Sequence, residues 1–388
     1  MTDISRVGLA DIQAAAELID GIATKTPTRH ARWLADLVGG PVRLKLENLQ
    51  RTGSFKPRGA YVRLSRLTEE ERAAGVVAAS AGNHAQGVAM SAQRLGIRST
   101  IFMPEGAPIP KVNATKGYGA EVVFHGPYLD QAIVKAKEFA EETGAVFISP
   151  FDHVDIVAGQ GTCGLEILEQ APELRTLIVP TGGGGLLAGI AIAVKALRPD
   201  VRVVGVQAET AAAFPVSLAA GHPVQLETMR TMADGIAVGR PGDITFQAVQ
   251  ELVDDIITVP EDALARALVA LLERETLDGH DTIAFAPQVK GLEIPGYDPR
   301  GLQTMALGFA VGSRGADHNR SGAYEVDFSS AVNRRNVGPE SAVLAVETED
   351  KAAKAAVEVI NQGGGIAGRK IELATEDTES NPASGARK

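Results

Sequence analysis

From Gly75 to Arg274 the chain alternates short β-rich runs with helical stretches, and this rhythm constrains the fold more than any other feature. VVAAS (76–80), RSTIFM (98–103), AEVVFH (120–125), AVFIS (145–149), RTLIVP (175–180), VRVVGVQ (201–207) and DIITV (255–259) read as strands. Helices are predicted between them over 83–94, 110–116, 128–142, 160–170, 185–197 and 261–274. Strands separated by helices of this length predict a doubly wound α/β architecture with parallel sheets. In such sheets ligands sit beyond the carboxyl ends of the strands, where loops become helix N-termini. Upstream, Ile12, Ala15, Ala16 and Ile19 mark one helical face over 8–22, Pro27 ends it, and VRLKLE (42–47) alternates as a further strand.

Length and charge narrow the function classes. The 388 residues are enough for two or three domains. Lys plus Arg number 38 against 48 Asp plus Glu, a net charge of −10, which argues against a nucleic-acid or anionic-membrane partner. Cys163 is the single cysteine, so neither an internal disulfide nor a cysteine-held metal cage is expected, and no metal is predicted. The N-terminus carries Asp3 and Asp11 and no basic-then-apolar pattern, and no run reaches the ~18 apolar residues of a membrane span. A cytoplasmic protein is the expectation.

Three segments carry chemistry, each expected at a strand-to-helix loop. In KLENLQRTGSFKPRGA (45–60), Pro57 suits a first helical turn, which puts Lys56 at a helix N-terminus. There the helix dipole opposes its charge and favours the free amine, a candidate nucleophile for a Schiff base. Taken alone, Lys56 reads as a solvated lysine, and it is the surrounding pattern that overturns this. In VVAASAGNHAQGVA (76–89), the backbone N–H groups of Ser80, Ala81, Gly82 and Asn83 suit a carboxylate, although Ser80 or Asn83 is also an ordinary N-cap. His84 reads as a satisfied or solvent-facing histidine rather than a catalyst. In LIVPTGGGGLLAG (177–189), Gly182, Gly183, Gly184 and Gly185 offer bare backbone to a phosphate. Gly183, Gly185 and Ala188 also fit the dinucleotide pattern G-x-G-x-x-A, with Glu209 where a ribose-binding acid would stand, whereas the absence of G-K-[ST] excludes a P-loop. An amine for an aldehyde, a phosphate loop and a carboxylate loop together suit pyridoxal 5'-phosphate and an amino-acid substrate. A nicotinamide enzyme would leave GSFKPRGA without a role.

Residues 1 to about 275 resemble the catalytic region of threonine dehydratases (threonine ammonia-lyases), within the fold type II, tryptophan synthase β-like, pyridoxal-phosphate enzymes that include serine racemase. The segments that carry the resemblance are KLENLQRTGSFKPRGA, SAGNHAQGVA, PFDHVDIVAGQGTCGLEI, PTGGGGLLAG and TMADGIAVGRPGDITF. It implies two doubly wound parallel-sheet domains: a large one from 1–48 plus 151–278 and a small one over 49–150, followed by an atypical tail over 279–388. It further implies that Lys56 holds the cofactor and takes the α-proton, with Ser54 steering protons there. Phe55 would pack on the cofactor ring, Asn83 would bond its phenolic oxygen, Gly182 to Gly185 would hold its phosphate, and Gly235 would face the ring. Ser80 to Asn83 would grip the substrate carboxylate. The implied reaction converts L-threonine or L-serine to 2-oxobutanoate or pyruvate and ammonia, in a homo-oligomer by family analogy.

The pattern departs from the family after Arg274. Neither an E-G-A-G segment nor the S-G-G-N turn that meets the ring nitrogen is present there. This keeps open a protein that binds cofactor or amino acid without turnover. A racemase-like activity is a further alternative, weakened because Ala213 and Pro215 stand where serine racemases carry a cation-binding acid. His153 replaces a usual Asp. The tail resembles fragments of aldehyde ferredoxin oxidoreductases (about 282–350) and of branched-chain amino-acid-binding proteins (about 354–382), so the chain reads as segments of three families joined. In the tail a helix is predicted near 302–311, another over 350–365 and a strand over 369–377.

Overall fold

The computed structural model describes residues 7–275, 282–286, 341–345 and 370–374, within two compact units, Met1–Asn319 and Arg320–Lys388. The first unit opens with α1 (Leu9–Leu18), β1 (Thr28–His30), α2 (Arg32–Val38) and β2 (Arg43–Leu46). The chain continues through α3 (Lys56–Ser65), α4 (Glu69–Ala74), β3 (Val76–Ala79), α5 (Asn83–Leu95), β4 (Ser99–Met103), α6 (Ile109–Gly117), β5 (Glu121–Phe124), α7 (Leu129–Thr143) and β6 (Val146–Phe147). It then runs through α8 (Val154–Gln170), β7 (Thr176–Pro180), α9 (Gly185–Leu197), β8 (Arg202–Ala208), α10 (Ala213–Ala220), α11 (Asp243–Leu252), β9 (Asp255–Val259), α12 (Glu261–Glu275) and β10 (Thr282–Ala286). In the second unit β11 (Ser341–Ala345) pairs in parallel with β12 (Lys370–Ala374).

The predicted alternation is present, with local physics setting the differences. Strand 255–259 and helix 185–197 match residue for residue as β9 and α9. α8 begins at Val154 rather than 160 because the His153 ring accepts from Asp155 N at 3.1 Å and caps it there. β1, α2, α4, α10 and α11 are additions. α4 is set by a capping box in which Thr68 Oγ1 accepts from Glu71 N and the Glu71 carboxylate accepts from Thr68 N. The helices expected near 302–311 and 350–365 lie outside the described residues, and the strand expected over 369–377 is β12.

Two sheets organise the first unit. One has four parallel strands in the order β5-β4-β3-β6. Its β3 is buried on both faces, as its unbroken apolar sequence requires. Val76 and Ala78 pack with Val88 and Ala89 of α5, while Val77 and Ala79 pack with Ala132 and Ala136 of α7. The other sheet has six strands in the order β1-β2-β10-β7-β8-β9, with β7, β8 and β9 parallel. β10 comes from the segment where the rhythm breaks. It runs antiparallel between β2 and β7, with Ala284 opposite Leu44 on one side and Ile178 on the other.

Helices meet at glycines. A Cβ on Gly159 of α8 would lie 2.5 Å from Gly59 Cα of α3, and one on Gly161 would lie 2.8 Å from the Gly189 carbonyl of α9. Backbones therefore touch where α8 crosses α3 and α9, and no side chain larger than hydrogen fits. No helix among the described residues is long and apolar enough to cross a membrane.

Candidate active site

Lys56 is the first residue of α3, with Pro57 behind it fixing the helical φ. Its Nζ donates to the Pro150 carbonyl at 2.9 Å and stands 5.1 Å from the centre of the Phe55 ring. α5 crosses closely, since a Cβ on Gly87 would lie 3.0 Å from Lys56 Cβ. Two residues before Lys56, Ser54 is fully buried and its Oγ has no hydrogen-bond partner among the described residues. A buried hydroxyl without a partner is costly, by about 1–3 kcal/mol, unless a ligand completes it.

The root of α3 is fixed by charge. Arg58, fully buried, donates to Glu47 through Nε at 2.8 Å and Nη2 at 2.9 Å, and to Glu166 through Nη1 at 2.6 Å. Lys45 Nζ donates to the other oxygen of Glu166 at 2.6 Å. Burial pushes the Glu47 carboxyl up, but the Arg58 guanidinium, aided by Lys45 and Thr26, more than offsets this and holds it below the usual range. Burial and then the Glu47 charge push the Cys163 thiol up, so it is inert as a nucleophile.

From Pro150 the chain leads directly to the glycine loop. A Cβ on Gly183 would lie 2.5 Å from the Phe151 ring, and one on Gly185 would lie 3.0 Å from the Phe151 backbone. Gly184 has φ +95°, the left-handed region, and faces Phe214 and Thr245. Thr245 Oγ1 donates to the Gly183 carbonyl at 2.6 Å. The Asp152 carboxylate holds Thr245 in place by accepting from Asp243 N at 3.0 Å and Ile244 N at 2.9 Å, at the start of α11. On the far side, a Cβ on Gly182 would lie 3.1 Å from Ile236 Cα, next to Gly235.

The loop 80–83 joins the same ring of contacts. Ser80 Oγ accepts from Gly82 N at 3.0 Å, so this hydroxyl shapes the loop. Gly82 is the N-cap of α5 and has no side chain to cap it. Lys111 Nζ would lie 3.2 Å from a Cβ on Gly82, and it pairs with Asp234 at 3.5 Å, the neighbour of Gly235. Asn83, half-buried, and the 4% exposed His84 begin α5. His84 Nε2 lies 2.9 Å from the Ile148 carbonyl, and burial, with the Lys56 charge nearby, lowers its pKa to about 3. It is therefore neutral, donates to that carbonyl, and matches the reading of a satisfied histidine.

Contacts thus close a circuit from Lys56 through Pro150, Phe151, the glycine loop, Ile236, Asp234, Lys111 and Gly82 to α5, and back to Lys56. The Lys56 amine, the glycine loop 182–185 and the loop 80–83 lie along one chain of contacts. Bare glycine backbone at a helix N-terminus, an adjacent amine and the unpartnered Ser54 hydroxyl fit pyridoxal phosphate. Sequence reasoning had given no role to Pro150, Phe151, Asp152, Thr245 or Lys111. The first three lie inside the segment PFDHVDIVAGQG, yet their partners are 94, 32 and about 91 residues away, which no local pattern reveals.

Comparison with known proteins agrees with this geometry. A family model described as pyridoxal-phosphate-dependent enzyme matches residues 19–279, and a second, aldehyde ferredoxin oxidoreductase domains 2 and 3, matches 230–362. L-threonine ammonia-lyase of Thermotoga maritima is 44% identical over 75% of this chain and 73% of its own length. The solved threonine deaminase isoform 2 of Solanum lycopersicum is 40% identical, with a TM-score of 0.67 over 69% of this chain and 77% of that one. Maize serine racemase is 36% identical, with a TM-score of 0.68 over 70% and 82%. The chain has the fold type II architecture of these structures. It belongs to the pyridoxal-phosphate-dependent enzyme family.

Proposed function

We propose that this chain is a pyridoxal-phosphate-dependent lyase that converts L-threonine, or L-serine, to 2-oxobutanoate, or pyruvate, and ammonia. The observation that carries the reading is the position of Lys56, whose amine rests on the Pro150 carbonyl one residue from the ring that lines the glycine loop. The named threonine-active relatives support the substrate class. They also favour it over the dinucleotide reading of Gly183, Gly185 and Ala188.

The bound cofactor supplies an aldehyde for an amine and a ring that withdraws electrons from the substrate's α-carbon. Lys56 would hold it and, as a free amine, would accept the substrate's α-proton at Nζ. Ser54 Oγ, two residues away and buried, is the group through which that proton is steered. Phe55 would cover the ring, Asn83 would donate to the phenolic oxygen, and Gly182 to Gly185 would hold the phosphate through their N–H groups. Gly235, lacking a side chain, lets the backbone approach the ring. Ser80, Ala81, Gly82 and Asn83 orient the substrate by its carboxylate. The chemistry so supplied would eliminate the β-hydroxyl and yield, overall, ammonia and the 2-oxo acid. We also infer a small domain over 49–150 beside a large one from 1–48 plus 151–278, whose six-stranded sheet also takes in β10 (282–286) from beyond that boundary. The separate four-stranded sheet from β3, β4, β5 and β6 supports this division.

The test is to reconstitute the protein with pyridoxal phosphate, record the visible spectrum, add L-threonine and assay 2-oxobutanoate. Lys56→Ala is expected to lose both the cofactor band and turnover, and a variant that keeps both overturns the assignment. A second reading, binding without turnover, rests on the sequence after Arg274, which lacks the S-G-G-N turn. A cofactor band on Lys56 with no 2-oxobutanoate would identify it.

A further inference from the structure

Lys111 is a buried cation in an unfavourable place. It is only 6% exposed, and it sits in the first turn of α6, where the helix dipole repels positive charge. A buried ammonium needs a close counter-ion. The one found among the described residues is Asp234, at 3.5 Å and 58% exposed, a loose partner for so buried a charge. The lysine stem lies along Gly82, with Cδ, Cε and Nζ all within 3.8 Å of where a Cβ would stand. The ammonium is thus held against the loop 80–83, whose N–H groups open α5. Gln86, in the first turn of the same helix and 3% exposed, has a side-chain nitrogen with no acceptor among the described residues. The Lys111 ammonium and the N-terminus of α5 share one electrostatic demand, an anion at the mouth of that helix.

We propose that Lys111 is a specificity-determining residue that binds the substrate's α-carboxylate, exchanging its loose pair with Asp234 for the incoming anion. The inference rests on the reading of 80–83 as the carboxylate loop. Asp234 is the placeholder: it neutralises the buried ammonium before substrate arrives and, being mostly in water, releases it at small cost. No proton or electron is transferred in the exchange, and the only change is the partner of one ammonium.

The test is a spectral titration of the cofactor-loaded protein with L-threonine and with L-threoninol, the amino alcohol in which a hydroxymethyl group replaces the carboxylate. It needs no turnover. Lys111→Met is expected to keep the cofactor band of the unliganded protein. Its affinity for L-threonine should fall roughly 10- to 100-fold, the scale of a hydrogen bond to a charged group. Its affinity for L-threoninol should not move, so the preference between the two collapses. Asp234→Asn is expected to bind L-threonine as well as the unsubstituted protein, or more tightly. If Lys111→Met and Asp234→Asn weaken binding equally, the pair is a structural tie and the proposal is overturned. A Lys111→Met protein with an intact threonine-to-threoninol preference overturns it as well. Failure of the underlying reading would show separately, as an unsubstituted protein that prefers neither ligand.

Discussion

Lys56 Nζ and the Pro150 carbonyl meet at 2.9 Å across 94 residues of sequence. The Lys56 amine is therefore tied to the segment that supports the glycine loop, because Phe151 packs on Gly183 and Gly185. A disturbance at the loop should reach the amine through that one peptide.

Gly183→Ala tests this coupling. The new methyl would stand 2.5 Å from the Phe151 ring, so the ring, and Pro150 with it, must shift. Overpacking of this kind costs about 1–3 kcal/mol. We expect at least a tenfold loss of cofactor affinity in a spectral titration, with a smaller loss of thermal stability. Gly117→Ala is the control. Nothing lies within 4 Å of a Cβ there, and the cofactor affinity should stay unchanged.

Much of this site was legible in the sequence because its parts are local. Lys56-Pro57, the four glycines and Ser80 to Asn83 each announce a strand-to-helix turn within a few residues. The same holds for the sheets, whose parallel strands read as apolar runs. What was not legible depends on pairing between distant segments. Asp152 looks like any loop acid until the N-terminus of α11 is placed over it. Lys111 looks like a surface lysine until Gly82 lies along its stem. β10 was hidden for another reason. Its strand character depends on the open edges of β2 and β7, and a five-residue apolar run carries no sign of that.

The crossing of α3 and α8 gives a second prediction. Gly159→Ala would put a methyl 2.5 Å from Gly59 Cα and 2.6 Å from the Arg58 carbonyl, both backbone atoms that cannot rotate away. The helices must separate, and α3 carries Lys56 with it. Urea unfolding should show a loss of about 1–3 kcal/mol or more. Turnover of the folded fraction should fall too, because the amine moves relative to the glycine loop.

The buried charges at the base of α3 predict an asymmetry. Glu47→Gln leaves the Arg58 guanidinium with one carboxylate partner in place of two. Removing one member of a buried pair costs about 3–5 kcal/mol. The Glu47 carboxyl has its pKa lowered in the fold, so its contribution is complete above the usual carboxylate value of 4.5 and is lost as pH falls below it. Chemical unfolding at neutral pH should therefore show the large loss in Glu47→Gln. Below pH 4 the difference from the unsubstituted protein should shrink.

His84 sets a second acid limit, in a different pH window. Its ring is buried beside the Lys56 charge and donates to the Ile148 carbonyl, and its pKa is lowered from 6.5 to about 3. In the unfolded chain the same ring takes a proton near pH 6.5. Between those values the unfolded state binds more protons than the folded one, so stability rises with pH across the window and is lost as pH falls. Each pH unit is worth about 1.4 kcal/mol, so the loss at pH 5 is roughly 2 kcal/mol. His84→Gln keeps a donor for the Ile148 carbonyl and removes the titration. Unfolding free energies at pH 7.5 and pH 5.0 should differ by about 2 kcal/mol less in His84→Gln than in the unsubstituted protein. An equal difference in both would mean that the ring is protonated in the fold, and that the positive charge beside Lys56 is tolerated.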